Sequence, residues 1–489
     1  MSLSDRIASG LKATLGAGVV DALANGVLMI LLARYLLSPA EFGLLHYALS
    51  IIGVVAILGT LGLPSSAARY VTELTETDPE QVRYVIRFGV TAILGLSVVV
   101  GAVLAVASPL IADAANEPAL VPLLVLGFGY VLGNSLFKTF SRLFQATNRV
   151  DWSGRLVALS GTVRLVSAIL LVLAGLGAVG ALAGYLVGFA VASAVGAVAF
   201  YRLSYRTLPS AERVAEGLRR RILEYSVPLT ATRGANVLDK RIDTVLVGLF
   251  LGPVPVGYYT ISKQVSQFAS IPATSLGYTI SPAVGEQHAG EDAGRARQVY
   301  EASLRHVLLL YVPATVGLVL VAEPTVTHVF GSAYAEAAPV LQVLAGFMLM
   351  NAINKVTSDG LDYLGRARSR AIVKTATAVA NFLLNLALIP AIGVVGAAVA
   401  TVATYTVYTL TNVYIIHDEL DLDLASIGRL LAGVVGVAAV MGAVVRLLVP
   451  RVTGLVTLFL VVGVGVAVWG TLAALGGLLD VGRIRRVLT

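Results

Sequence analysis

The segment "TATRGANVLDKRIDTVLVGLF", residues 230–250, carries Arg233, Asp239, Lys240, Arg241 and Asp243 and then runs into apolar residues. Guanidinium and ammonium groups recognise phosphate and carboxylate oxygens, Arg through a planar fork and Lys as a point charge. On a helix, Arg233, Asn236, Lys240 and Asp243 fall on one face, with Asp239 at its border. Lys240 and Asp243, three apart, can pair. Arg241 points elsewhere, and Arg233 has no acid three or four positions away. Local pairing leaves cations over, and these need another helix, water or an anionic ligand.

Other polar residues interrupt apolar stretches in the same way. Asp21 and Asn25 are four apart in the first apolar run. Asp21 is either a site for a proton or cation, or the counter-ion of Arg233 or Arg241. Asn134, Lys138, Ser141, Arg142 and Gln145 make one stripe at helical spacing; Asn351, Asn354, Lys355, Ser358, Asp359 and Asp362 make a second. Lys263, Gln264 and Gln267 precede Pro272, which interrupts helical hydrogen bonding. A charge at the centre of a membrane helix costs roughly 2.5–3.5 kcal/mol on insertion scales, so these groups are expected to face a partner or a wet cavity. Arg142, Gln145, Asp359 and Asp362 are close enough to a span end to snorkel.

Little of this is catalytic chemistry. The chain has no cysteine, which excludes disulfides and thiol chemistry, and its five histidines are scattered without metal-ligand spacing. No phosphate-loop or dinucleotide motif is present. The chain is expected to need no cofactor and not to be an enzyme. A membrane glycan ligase or polymerase would need a sizeable outer loop with reactive groups. The longest outer loop expected, near 323–336, offers Glu323, His328 and Glu336 but no basic group.

Of 489 residues, 57% are hydrophobic and 13% charged, against about a quarter charged in soluble domains. The apolar residues come in runs long enough to cross about 30 Å of hydrocarbon as helices. About fourteen spans are expected, near 12–36, 41–63, 84–109, 119–145, 155–176, 178–203, 225–250, 255–283, 304–322, 337–360, 370–390, 393–416, 427–449 and 453–479. The run from Leu11 to Leu37 is too long for a signal peptide and reads as the first span. Arginines concentrate in alternate loops, including Arg83, Arg87, Arg149, Arg219, Arg220, Arg221, Arg366 and Arg368. That bias puts both termini in the cytoplasm and assigns the net charge of +7 to topology and anionic lipid headgroups, not nucleic acid.

The chain also repeats. "GYVLGNSLFKTFSRLFQATNR" (129–149) aligns without a gap on "GFMLMNAINKVTSDGLDYLGR" (346–366), matching Asn134 with Asn351, Lys138 with Lys355, Ser141 with Ser358 and Arg149 with Arg366. "GLGAVGALAGY" (175–185) matches "AIGVVGAAVAT" (391–401), and "LLSPAEFGLLHYALS" (36–50) matches "FLGPVPVGYYTISKQ" (250–264). An even number of spans separates the copies, so the repeat is parallel, a pattern in which substrate binds between the halves. The expected organisation is an all-α polytopic membrane protein. Its parts are an N-lobe of six spans over 1–205, a cytoplasmic linker over 206–224 and a C-lobe of six spans over 225–420. Two extra helices and a basic tail follow over 421–489.

Residues 31–71, "LLARYLLSPAEFGLLHYALSIIGVVAILGTLGLPSSAARYV", resemble the first two spans of Wzx-type polysaccharide flippases of the multidrug/oligosaccharidyl-lipid/polysaccharide exporter superfamily. "LGPVPVGYY" in the second copy is similar to the same family. The resemblance implies a V-shaped molecule with a central cavity in the cytoplasmic membrane. It would carry a polyprenyl-phosphate- or diphosphate-linked oligosaccharide to the outer leaflet by alternating access. No family motif transfers individual binding residues, so these are assigned by placement. Arg233, Lys240, Arg241 and Lys263 are expected at the phosphate, and Asn25, Asn134, Asn236, Gln264, Gln267 and Asn351 at the glycan. Asp21, Asp239 and Asp243 are expected as ion-coupling or counter-ion groups. Partners would be the lipid-linked oligosaccharide, membrane lipids, H+ or Na+, and other glycan-assembly proteins, with the monomer as the working unit. The same superfamily includes multidrug extruders that bind cationic drugs near acids; Asp21 favours that alternative, while the two extra spans and the cations of 230–250 oppose it.

Overall fold

The computed structural model describes residues 3–270 and 293–479, apart from 210 and 212. These form two compact units, Met1–Gly257 and Tyr258–Thr489. The first unit contains α1 (Leu3–Leu31), α2 (Pro39–Val55), α3 (Leu63–Thr77), α4 (Pro79–Ala114), α5 (Leu120–Ala146), α6 (Val150–Leu171), α7 (Gly177–Leu203) and α8 (Leu218–Leu251). Helix α9 (Pro253–Ala269) starts in the first unit and continues in the second. The second contains α10 (Ala293–Thr325), α11 (Ala337–Tyr363), α12 (Ala367–Ile392), α13 (Val394–Leu420), α14 (Leu424–Leu448) and α15 (Leu455–Leu475).

Among the described residues, ten helical segments are long and apolar enough to cross a membrane, one of which, Val150–Thr207, holds two of the expected spans. The protein is therefore a multi-pass membrane protein. The other expected spans have specific reasons for falling short. Helix α2 is apolar but only 17 residues long. Helix α8 carries the charges of 230–250. The continuation of α9 toward 283, with Pro272, lies outside the described residues.

The repeat is visible in the helix boundaries. Leu120 and Ala337, Val150 and Ala367, and Gly177 and Val394 begin equivalent helices, each pair 217 residues apart. Helices α5 and α11 are both 27 residues long, as are α7 and α13. In each copy the second and third helices of the triplet pack together, with the first against the third.

The motifs that carried the resemblance have local physical reasons. In "SPAEFG" the Ser38 hydroxyl accepts from the Glu41 amide, while the Glu41 carboxylate accepts from the Ser38 amide at 3.0 Å. This capping box, with Pro39 in the first turn, starts α2. Gly43 is required by close packing, since a Cβ there would lie 1.8 Å from the Pro253 carbonyl oxygen. The two repeat-related turns thus meet at their glycines, Gly257 facing the Pro39 carbonyl.

The expected continuous span over 41–63 is broken. Helix α2 ends at Val55, the chain turns through 56–62, and α3 starts at Leu63. Leu61 and Gly62 adopt φ of 41° and 69°, and Pro64 sits in the first turn of α3. Gly62 suits the left-handed position because it has no Cβ. A Cβ there would also approach the Ser226 carbonyl oxygen to 2.8 Å.

The 206–224 segment is strapped to the first unit. The Gln81 side chain donates to the Arg213 carbonyl at 2.9 Å and accepts from the Ala215 amide at 3.1 Å. Leu218 and Ile222 are buried in the cluster formed with Val82, Val85, Phe144 and Phe200. The Ser66 hydroxyl donates to the Ile222 carbonyl at 2.7 Å. Burial of this apolar surface and satisfaction of buried backbone groups hold the start of α8 on α3 and α4.

Candidate functional site

Helices α5 and α8 gather cations within the first unit. Lys138 and Arg142 come from α5, four apart on its stripe; Arg233 and Arg241 come from α8. Lys138 lies within electrostatic reach of Arg241 and Arg233, and Arg233 within reach of Arg142. Lys138 is exposed and has no hydrogen-bond or ion-pair partner among the described residues. Like charges held together repel, and an arriving anion relieves that repulsion.

The arginines are held by groups that leave their charge unneutralised. Arg233 donates to the Ser65 hydroxyl at 2.5 Å. Arg241 donates to the Leu49 carbonyl at 2.6 Å. Gly53 makes room for Arg241, because a Cβ there would stand 2.5 Å from the guanidinium carbon. Arg142 donates to the Gln145 side chain at 2.9 Å. Hydroxyl, carbonyl and amide acceptors orient a guanidinium without cancelling its charge, and leave further N–H donors for a ligand.

The remaining expected residues divide between the units. Lys240 and Asn236 are exposed, Asp239 is partly buried, and Asp243 is 2% exposed. Asp239, Lys240 and Asp243 each engage other groups of the protein. Asn134 is buried on α5 beside the cations and makes no hydrogen bond among the described residues. Lys263, Gln264, Gln267 and Asn351 belong to the second unit. There the Lys263 ammonium lies 5.1 Å from the centre of the buried Tyr259 ring. Gln264 and Asn351 are partly buried and Gln267 is exposed.

Asp21 has a partner that the sequence reading did not consider. Its Oδ1 accepts from Arg164 Nη2 at 2.9 Å, and its Oδ2 accepts from Asn25 Nδ2 at 3.1 Å. Neither Arg233 nor Arg241 is its counter-ion here. Arg164, on α6, also stands over the Tyr185 ring at 5.1 Å. The signal for it was a single arginine in the apolar stretch "GTVRLVSAILL", which an acid had to meet. Asn25 is thereby occupied in holding Asp21.

A second polar group that the sequence reading largely missed lies among α11, α12 and α13. Asn354, Tyr405 and Asn412 join Asn351 in one hydrogen-bonded set, while Asn381 Nδ2 donates to Thr404 Oγ1 at 3.3 Å. Each is individually an inexpensive polar residue in an apolar helix, so none stands out alone.

Fold and site together define an all-α multi-pass membrane protein with a group of cations on α5 and α8 of its first unit. The chain belongs to the polysaccharide biosynthesis protein family, whose model matches residues 31–339. It is 26% identical over 153 residues to the probable low-salt glycan biosynthesis flippase Agl15 of Haloferax volcanii; that match covers 31% of this chain and 32% of the relative. The chain therefore aligns with about a third of that relative's length. It is 28% identical over 365 residues to the lipopolysaccharide biosynthesis protein WzxC of Escherichia coli K12, covering 72% of this chain and 69% of that protein. Among solved structures, the lipid II flippase MurJ in an inward closed conformation has the same fold, with a TM-score of 0.76 and 14% identity, covering 95% of this chain and 98% of the other.

Proposed function

We propose that the protein is a flippase that moves a polyprenyl-phosphate- or diphosphate-linked oligosaccharide from the cytoplasmic to the outer leaflet by alternating access. The observation that carries this reading is the cation group of α5 and α8, held by neutral acceptors inside a chain otherwise adapted to lipid. A lipid-linked glycan has a polar head that is costly to take through hydrocarbon and a tail that is at home there. Fixed guanidinium and ammonium groups replace part of the water its phosphate loses.

In this reading Arg233, Lys240 and Arg241 hold the phosphate, joined by Lys138, with Lys263 a further cation on the glycan's route. Asn134, Asn236, Gln264, Gln267 and Asn351 meet the glycan, and Asn25 contributes less because it is bonded to Asp21. The two six-span copies over 1–205 and 225–420 serve as the lobes. The protein resides in the cytoplasmic membrane with both termini inside. A gradient of H+ or Na+ gives direction, with Asp239 and Asp243 as candidate coupling groups and Asp21 as the counter-ion of Arg164. The Asp21–Arg164 pair counts against a multidrug extruder, because it withdraws the acid that would attract a cationic drug.

The test is a leaflet-resolved assay in cells lacking the gene. Intact lipid-linked oligosaccharide should accumulate on the cytoplasmic side and be exposed again by the wild type. Arg233→Gln or Lys240→Gln should reduce exposure about tenfold, since a hydrogen bond to a charged group contributes about 1.5–3 kcal/mol. Full exposure by both variants would remove the phosphate assignment.

A further inference from the structure

The strap and the first turns of α8 enclose a groove of about 540 Å3, within the size range of small-molecule sites. Val214, Leu218 and Leu223 give it an apolar wall, and Arg219, Arg220 and Glu224 a charged edge. The groove sits at a membrane boundary. Gln81, which holds the strap, is in the first turn of the span Pro79–Ala114, and the strap follows the end of the span Val150–Thr207. The Arg219 guanidinium lies 5.3 Å from the centre of the Phe88 ring, which itself stacks on Tyr84 at 6.1 Å. A cation over a ring is positioned without using its N–H donors, and Arg219 makes no hydrogen bond or ion pair among the described residues. Arg220 Nε donates to Glu224 Oε1 at 2.6 Å, but the two side chains are 82% and 59% exposed. A surface pair of this kind contributes little, so Arg220 can turn to a second acceptor.

Apolar surface continues from this charged edge along the helix. Arg219, Leu223 and Val227 are four apart on one face of α8, and Leu223 and Val227 are exposed, whereas Leu218, Ile222 and Ser226 are buried against the unit. The stripe covers two turns, about 12 Å, with a cation at the membrane boundary and open apolar side chains beyond it. A phospholipid has the same order, phosphate and then acyl chain. The local helix does not favour the arginines. Arg219, Arg220 and Arg221 stand in the opening turn of α8, which has no acid and no side-chain cap, and a helix dipole opposes cations at that end. An anion at the groove's edge offsets that cost. A soluble anionic partner would leave Leu223 and Val227 unmatched, and the chain's own tail, with Arg483, Arg485 and Arg486, has the wrong charge.

We propose that the groove between the strap and α8 is a binding site for one anionic phospholipid of the surrounding membrane, with its phosphate at Arg219 and Arg220 and an acyl chain along Leu223 and Val227. This goes beyond the flippase reading and does not rest on it, since it needs only that the chain spans a membrane. A lipid seated there joins the strap to the start of α8 and so braces the fold of the first unit.

The experiment uses the purified full chain in detergent, titrated with phosphatidylglycerol or with phosphatidylcholine of the same acyl chains. Bound lipid is counted by native mass spectrometry, and thermal unfolding is followed in parallel. The wild type should bind the first phosphatidylglycerol about tenfold more tightly than phosphatidylcholine, the scale of one hydrogen bond to a charged group. The anionic lipid should also raise the unfolding temperature more, because it binds the folded state. Arg219→Gln with Arg220→Gln should remove both differences; Arg219→Gln alone should reduce them severalfold, and serves if the double variant does not fold. Arg202→Gln with Arg206→Gln takes the same charge from the same end of the unit but outside the groove, and should leave both differences in place. Equal binding of the two lipids by the wild type would overturn the site. An equal loss in the two double variants would also overturn it, by showing general attraction to surface charge. Displacement of phosphatidylglycerol by a lower concentration of polyprenyl diphosphate would do the same, by assigning the groove to the cargo.

Discussion

Asp21 and Arg164 bind each other because neither can remain alone at its depth in a membrane helix. Arg164 is 9% exposed and Asp21 34%, so the pair is mostly buried. Its coupling should fall between the ~1 kcal/mol of a surface pair and the ~3–5 kcal/mol lost when a buried pair is broken. Asp21→Asn should therefore lower the thermal unfolding temperature. The double variant Asp21→Asn/Arg164→Gln should recover part of that loss, because the arginine would no longer be stranded. A double variant that unfolds at the sum of the two single losses would show that the groups do not interact. Residue types were legible in the sequence at this scale, but partners were not. The charges of 230–250 were evident as charges, yet that Arg233 meets Ser65 and Arg241 meets the Leu49 carbonyl depends on packing against α3 and α2. Gly53, which makes the space for Arg241, looks in the sequence like any membrane glycine.

The elements were easier to read where apolar length decides and harder where packing does. The long spans follow from hydropathy, and the copies α5–α7 and α11–α13 from aligned polar residues. The break at 56–62 was hidden by apolar residues on both sides, although "GTLGLP" contains the glycine and proline that turn the chain. The strap from Arg213 to Ile222 was also hidden, because its highly charged sequence gives little sign of the buried Leu218 and Ile222. Close helix approach gives a direct test of the triplet geometry. A Cβ at Gly184 on α7 would lie 2.4 Å from the Ala168 Cα on α6, a backbone atom that cannot swing aside. Gly184→Val should force α6 and α7 apart and destabilise the folded protein by about 1–3 kcal/mol, the usual cost of overpacking. Unchanged unfolding in detergent would mean that this contact is looser than the structure has it.

At the scale of the whole molecule, a duplicated helical scaffold carries two different polar sets. The first unit collects cations on α5 and α8, and the second joins Asn351, Asn354, Tyr405 and Asn412 in one hydrogen-bonded set, of which Asn351 alone has a polar counterpart in the first copy, Asn134. A scaffold of this kind leaves the cargo to be set by its sites. The central claim is that the cations of the first unit act on the phosphate that joins glycan to lipid. It is tested most directly in vesicles containing the purified protein, by measuring transbilayer movement of two oligosaccharides. One is linked to polyprenol through diphosphate, and the other is linked to the same polyprenol without phosphate. The account predicts that the diphosphate-linked cargo moves at least about tenfold faster, and that Arg233→Gln with Arg241→Gln removes that advantage. Equal rates for the two cargoes, or an advantage that survives the loss of both arginines, would contradict it.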